Sequence, residues 1–196
     1  MIRWGLMLLL APHSERATQD RIIHYWLLAP ESHQFRISHD FTVDRPGQAS
    51  VHSFVRKGST VSKAEIVDLN TGKSIATRNV KGKEVNALGY YPTPTEPDSV
   101  VVQGDLDHPV AAGESVLVRV TETYTDPVGY RMDGGELVWD RTLGRPFDDV
   151  TLPAGWELAS VSIPAIVSLD DEGRVVCRFS NPRNDELHVV LRARKR

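Results

Sequence analysis

HQFRISHDFTV, residues His33 to Val43, alternates along its length. Phe35, Ile37, His39, Phe41 and Val43 fall on one face of an extended chain, and Arg36, Ser38, Asp40 and Thr42 on the other. Successive side chains of a strand point to opposite faces, so this pattern predicts a strand with one face on a core. The same period recurs in SVHSFVRK, SKAEIVDL, SVVVQG, ESVLVRVTETYT, GELVWDRTL, GWELASVSI, GRVVCRF and ELHVVLRARK. All are rich in β-branched and aromatic residues, which suit a pleated, half-buried surface.

Turn chemistry separates these runs. Pro46-Gly47 fits the centre of a type II turn, and Asn70-Thr71-Gly72, Asp133-Gly134-Gly135 and Asp170-Asp171-Glu172-Gly173 fit hairpin connections. Pro92, Pro94 and Pro97 mark an extended loop that is no central strand. No segment shows a sustained helical period. The expected fold is all-β: an antiparallel β-sandwich or saddle-like sheet of many short strands.

With 196 residues, a single core buries roughly 70% of the unfolded surface, so neither a disulfide nor a metal is required for folding. One β-domain over 20–196 is expected, with a two-lobed form, its seam near 92–97 or 126–135, as the alternative. Residues 1–19 are read as a leader: Arg3 precedes the apolar run Leu6 to Ala11, as in a short secretory signal. Export follows as an expectation, to the periplasm, the medium or the cell surface, with the mature chain starting between about 17 and 21. No segment has the roughly 20 apolar residues of a transmembrane helix. A net charge of −3 argues against nucleic acid as a partner.

Motifs for known chemistries are missing: there is no HExxH, GxSxG, Walker loop or CxxC. The one cysteine, Cys177, shares strand parity with Val175 and Phe179 and reads as a small buried hydrophobe. His24, His33 and His39 are the nearest thing to a histidine cluster, but six residues on one strand span roughly 20 Å, too far for a shared metal. No metal site and no cofactor is expected. The acids Asp105, Asp107, Asp148, Asp149, Asp170, Asp171 and Glu172 lie in turns or short runs with no pairing legible from sequence. LRARKR at the carboxyl end reads as a last strand and solvated tail.

ELVWDRTLGRP, Glu136 to Pro146, is the densest stretch. Parity puts Leu137, Trp139 and Arg141 on one face and Val138, Asp140 and Thr142 on the other, with Arg145 a candidate partner for Asp140. The leading reading is a packed β-corner anchored by Trp139 and Trp156. The alternative is a ligand groove formed by Trp139, Asp140, Arg141, Arg145 and Trp156, with the indoles as stacking platforms. No catalytic residue is assigned.

HDFTVDRPG, FVRKGS, ETYTDPVGY, ELVWDRTLGRP, LPAGWEL and NPRNDELHVVLRAR resemble a family of exported bacterial β-proteins with no assigned activity. HYWLLAPESHQFRISHDF is weakly similar to the amino-terminal β-domain of zinc aminopeptidases. Without an HExxH that likeness implies no peptidase activity, only a β-module that shapes contacts with a partner or peptide. The expected function is therefore a non-catalytic, exported module that binds a protein or an extracytoplasmic polymer, with Tyr90, Tyr91, Tyr124 and Tyr130 as surface aromatics. The alternatives are a hydrolase with carboxylates at a groove, and a scaffold subunit whose strand edges pair with another chain.

Overall fold

Two long strands carry the molecule: β2 (Gln34–Val43) and β8 (Val116–Thr125) pair antiparallel over ten residues each, from Gln34 opposite Thr125 to Val43 opposite Val116. The computed structural model describes residues 21–196, so the leader expected over 1–19 lies outside the described residues. Around the central pair an eight-stranded sheet is completed on one side by β1 (Ile22–Leu27), β11 (Phe147–Thr151), β14 (Val175–Ser180) and β13 (Ile166–Leu169). On the other side lie β4 (Thr60–Asp68) and β5 (Ser74–Ile75). Only β1 and β11 run parallel among the described pairs.

Two smaller sheets complete the sandwich. One has four strands in the order β12 (Trp156–Val161), β15 (Leu187–Lys195), β10 (Glu136–Leu143), β9 (Tyr130–Asp133). The other has three: β3 (Ser50–Phe54), β7 (Val100–Asp105), β6 (Thr77–Lys81). The protein is all-β, in three mostly antiparallel sheets, as the alternation requires. The β9–β10 hairpin uses Gly134 and Gly135 at φ +58° and +85°, the left-handed pair that a two-residue hairpin loop demands. Gly104 in β7 serves close approach instead: a Cβ there would sit 2.9 Å from both Ile66 and Ile75, across the sheet-to-sheet contact.

Each small sheet encloses its own apolar cluster with a different half of the β2–β8 pair. Phe35, Ile37 and Tyr124 pack with Tyr25, Trp139, Leu143 and Leu191 under the four-stranded sheet. Phe41, Val43, Val118 and Val120 pack with Val51, Ile66 and Val110 on the three-stranded side. The division thus falls in the middle of β2 and β8. The 92–97 loop follows the helix described next, and 126–135 contains β9 and its turns.

One element departs from the expected pattern. A six-residue helix, α1 (Gly82–Ala87), buries Val85 and is capped by Glu84, whose Oε1 accepts from the Lys81 amide at 2.8 Å. It spans less than two turns, too few for a 3.6-residue period to register. Cys177 is fully buried, and burial pushes its thiol up to about 11.

Candidate functional site

The inner face of β8 reads Val118, Val120, Glu122, Tyr124, and that of β2 reads Phe35, Ile37, His39, Phe41, Val43. Strand parity thus carries two titratable side chains into positions that otherwise hold core residues. Glu122 stands opposite Ile37 and His39 opposite Val120, so both lie where the two apolar clusters part. There the small sheets leave a crevice of about 360 Å³ over the large one. Its floor includes Ile23 and Tyr25 of β1, Ile37, His39 and Phe41 of β2, and Glu122 and Tyr124 of β8. His52, Ser53 and Phe54 of β3, with Tyr91, form one wall. Arg141 and Thr142 of β10, with Gly144, Arg145 and Glu186, form the other. A half-apolar cleft of this size with convergent polar groups is what ligand sites commonly offer.

Glu122 is 4% exposed. Its Oε2 accepts from Ser53 Oγ at 3.0 Å, while Oε1 has no hydrogen-bond partner among the described residues. Burial disfavours the ionised form and pushes the carboxyl up to about 7, against a smaller opposing pull from the Ser53 hydrogen bond. His39 packs on Phe41 with ring centroids 4.7 Å apart, and its Nε2 lacks a hydrogen-bond partner among the described residues. Burial, reinforced by the charges of Arg145 and Arg21, lowers its pKa to about 3, so the ring is neutral at physiological pH. Across the crevice His52 is bonded on both nitrogens, to Ser50 Oγ at 3.3 Å and Tyr91 Oη at 3.2 Å.

Arg141 is the buried cation of the site, 6% exposed. Its guanidinium carbon lies 4.9 Å from the Phe35 ring centroid, 5.4 Å from that of Tyr124 and 5.6 Å from that of Tyr25. Such ring contacts stabilise a desolvated cation by up to about 2 kcal/mol. Asp126 accepts from Nη1 at 3.4 Å, a long contact, and Nε has no partner among the described residues. Arg56, more open to solvent, reaches across the crevice and donates to the Thr142 carbonyl at 2.8 Å. Burial and then the charge of Arg141 lower the Arg56 pKa, against the opposing pull of Tyr25, Glu186 and Asp126.

The residues singled out in ELVWDRTLGRP and beyond are dispersed. Arg141 and Arg145 line the crevice. Trp139 is fully buried, with its ring centroid 5.3 Å from that of Tyr25, and Trp156 lies at 7% exposure in the same cluster. Asp140 points to the opposite face of its sheet. Its partner is His188, with Nε2 2.7 Å from Oδ1, and not the expected Arg145, which donates to the Gly144 carbonyl instead. The reason is register: Thr142 pairs with His188, which places His188 diagonally across the strand pair from Asp140 on the same face. Tyr124 and Tyr130, expected at the surface, are buried, 3% and 0% exposed, because inward parity outweighs their polar tips. Tyr130 satisfies its hydroxyl on the Leu28 carbonyl at 2.6 Å. Glu122, His52 and Arg56 escaped the sequence reading as site residues, and Tyr91 entered it only as a surface aromatic. The one available signal was an ionisable residue on the apolar face of an alternating run, Glu122 in VRVTETY.

Among the described residues no three His, Cys, Asp or Glu side chains are grouped to hold a metal ion. No family model matches the chain, and no curated protein matches it. Solved structures do. The M1 zinc metallopeptidase from Deinococcus radiodurans matches at a TM-score of 0.49 and 15% identity, over 88% of this chain and 41% of that one. An aminopeptidase N family protein from Idiomarina loihiensis matches at 0.49 and 10% identity, over 88% of this chain and 29% of that one. The chain therefore spans less than half the length of either. The weak similarity to zinc aminopeptidases is found among solved structures as well as in HYWLLAPESHQFRISHDF.

Proposed function

We propose that this chain is a non-catalytic, exported β-sandwich module that takes a segment of a partner protein into the crevice between its two small sheets. The observation that carries the reading is the placing of Glu122 and His39 at the parting of the two apolar clusters, with Arg141 lining the same crevice. A core would gain from apolar residues at these positions, and leaving buried polar atoms unsatisfied costs roughly 1–3 kcal/mol each. A ligand that pairs with them recovers that cost. The non-catalytic reading is supported by Cys177: burial raises the pKa of its thiol and so keeps it protonated. Export rests on the Arg3 and Leu6–Ala11 pattern of the leader.

The test is a photo-reactive amino acid installed in place of Tyr91, at the crevice wall, in the full chain expressed in its native cells. A cross-linked partner, mapped by mass spectrometry to an extended segment contacting position 91, is the expected result. A cross-link to a polysaccharide would put an extracytoplasmic polymer in the crevice instead. No cross-link at 91, with efficient cross-linking from an outer-face position such as Arg36, would refute the crevice as the docking site.

A hydrolase is the second reading, favoured by one observation: Glu122, raised to about 7, shares a groove with Glu186. Saturable turnover on a panel of peptide, ester and glycoside substrates, abolished in Glu122→Gln, would establish it.

A further inference from the structure

The crevice also specifies what its ligand should carry. Four arginines line it, Arg21, Arg56, Arg141 and Arg145, against two acids, Glu122 and Glu186, with Asp126 outside the lining at 3.4 Å from Arg141. Burial first, and then the neighbouring cations, lower two pKa values here: Arg141 adds to the effect on Arg56, against Glu186 and Asp126, and Arg145 and Arg21 add to that on His39. Bringing positive charges together over a floor of aromatic and aliphatic side chains is costly unless an anion joins them. One buried donor is left over for such a visitor: Arg141 Nε–H has no acceptor among the described residues, although the side chain is more than nine-tenths buried.

We propose that the crevice binds a carboxylate carried on a side chain of a peptide, gripped by the guanidinium groups of Arg56 and Arg141 while the peptide's apolar atoms rest on Tyr25 and Ile37. The inference rests on the binding-module reading above. A planar guanidinium presents paired N–H donors that match the two oxygens of a carboxylate. A phosphate dianion is the poorer match, because Glu122 and Glu186 already occupy part of the lining. Arg56 sits at the open side and Arg141 at the buried side, so a carboxylate between them would be held from both ends while its stem lies on the rings.

The test titrates the full chain against three fluorescent probes: a random hexapeptide pool rich in Asp and Glu and capped at both ends, the same pool with Asn and Gln in their place, and trigalacturonate. Saturable binding of the acidic pool, at least tenfold tighter than the amide pool, is expected. Arg56→Gln and Arg141→Lys should each weaken it about tenfold or more, and Arg119→Gln, on the outer face, should leave it unchanged. Arg56→Gln keeps the experiment decisive should Arg141→Lys fail to fold. Equal binding of both pools, lost in Arg56→Gln, would overturn the carboxylate and leave the crevice as a peptide site. Binding of trigalacturonate alone would overturn the peptide. Binding of neither pool by folded protein would overturn the inference, and a cross-link at position 91 would then still stand as evidence for the module itself.

Discussion

Glu122→Gln isolates the electrostatic cost of the crevice. The carboxyl ionises at about 7 in the folded chain against an ordinary value of 4.5. Its folded pKa is raised, so the folded state holds the proton more tightly than the unfolded state does. The stabilisation this provides is complete below pH 4.5 and is lost as pH rises through 7. A full shift of that size corresponds to about 3 kcal/mol, and the part lost between pH 5 and pH 8 is about 2–3 kcal/mol. Glutamine fills nearly the same volume, donates and accepts as the neutral acid does, and never ionises. The variant should therefore gain about 2–3 kcal/mol relative to wild type on going from pH 5 to pH 8. His39 acts the other way, since its lowered pKa removes stability as pH falls below 6.5, but it is common to both proteins and cancels in the difference. Urea denaturation of the two proteins at both pH values measures this directly. A difference that stays constant within about 0.5 kcal/mol would show that Glu122 is solvated, and the reasoning about the crevice would fail with it.

Three further outcomes are expected. Trp139→Ala removes a fully buried indole from the larger apolar cluster and should cost about 3–5 kcal/mol, seen as a sharp drop in denaturation midpoint or loss of soluble protein; a variant that melts like wild type would contradict its core assignment. The Cys177 thiol should resist a colorimetric disulfide reagent in native protein and react promptly in denaturant, whereas fast native labelling would place it at the surface. Amino-terminal sequencing of protein from fractionated native cells should find a chain beginning between about 17 and 21 outside the cytoplasm, and intact Met1 in the cytoplasmic fraction would contradict export.

Strand identity was legible because burial follows parity. HQFRISHDFTV and GELVWDRTL place their inward residues where the alternation puts them, and Gly134-Gly135 closes its hairpin as the turn chemistry demands. Short elements were not legible. FDDVT forms β11 inside the large sheet although Asp148 and Asp149 lower its apolar content, because Asp148 is buried at 1% and Asp149 takes Arg178 and His24 as partners. The site was legible only in part for a related reason. ELVWDRTLGRP supplies Arg141 and Arg145, but the groups they face arrive from β2, β3 and β8, between 17 and 104 residues away along the chain, counting from Arg141 to Tyr124 and Ile37. A single sequence shows which residues break an apolar face. It does not show that two such breaks, at His39 and Glu122, meet across adjacent strands.

The central claim is that the crevice, and not the far face of ELVWDRTLGRP, meets the partner. It is tested most directly by comparing two variants in one capture assay with the partner cross-linked at position 91. Ile23→Trp fills the crevice floor, and Asp140→Ala breaks the His188 contact on the opposite face of the four-stranded sheet. Loss of the partner in Ile23→Trp with normal capture by Asp140→Ala is the predicted result. Normal capture by a folded Ile23→Trp protein, with loss in Asp140→Ala, would contradict it.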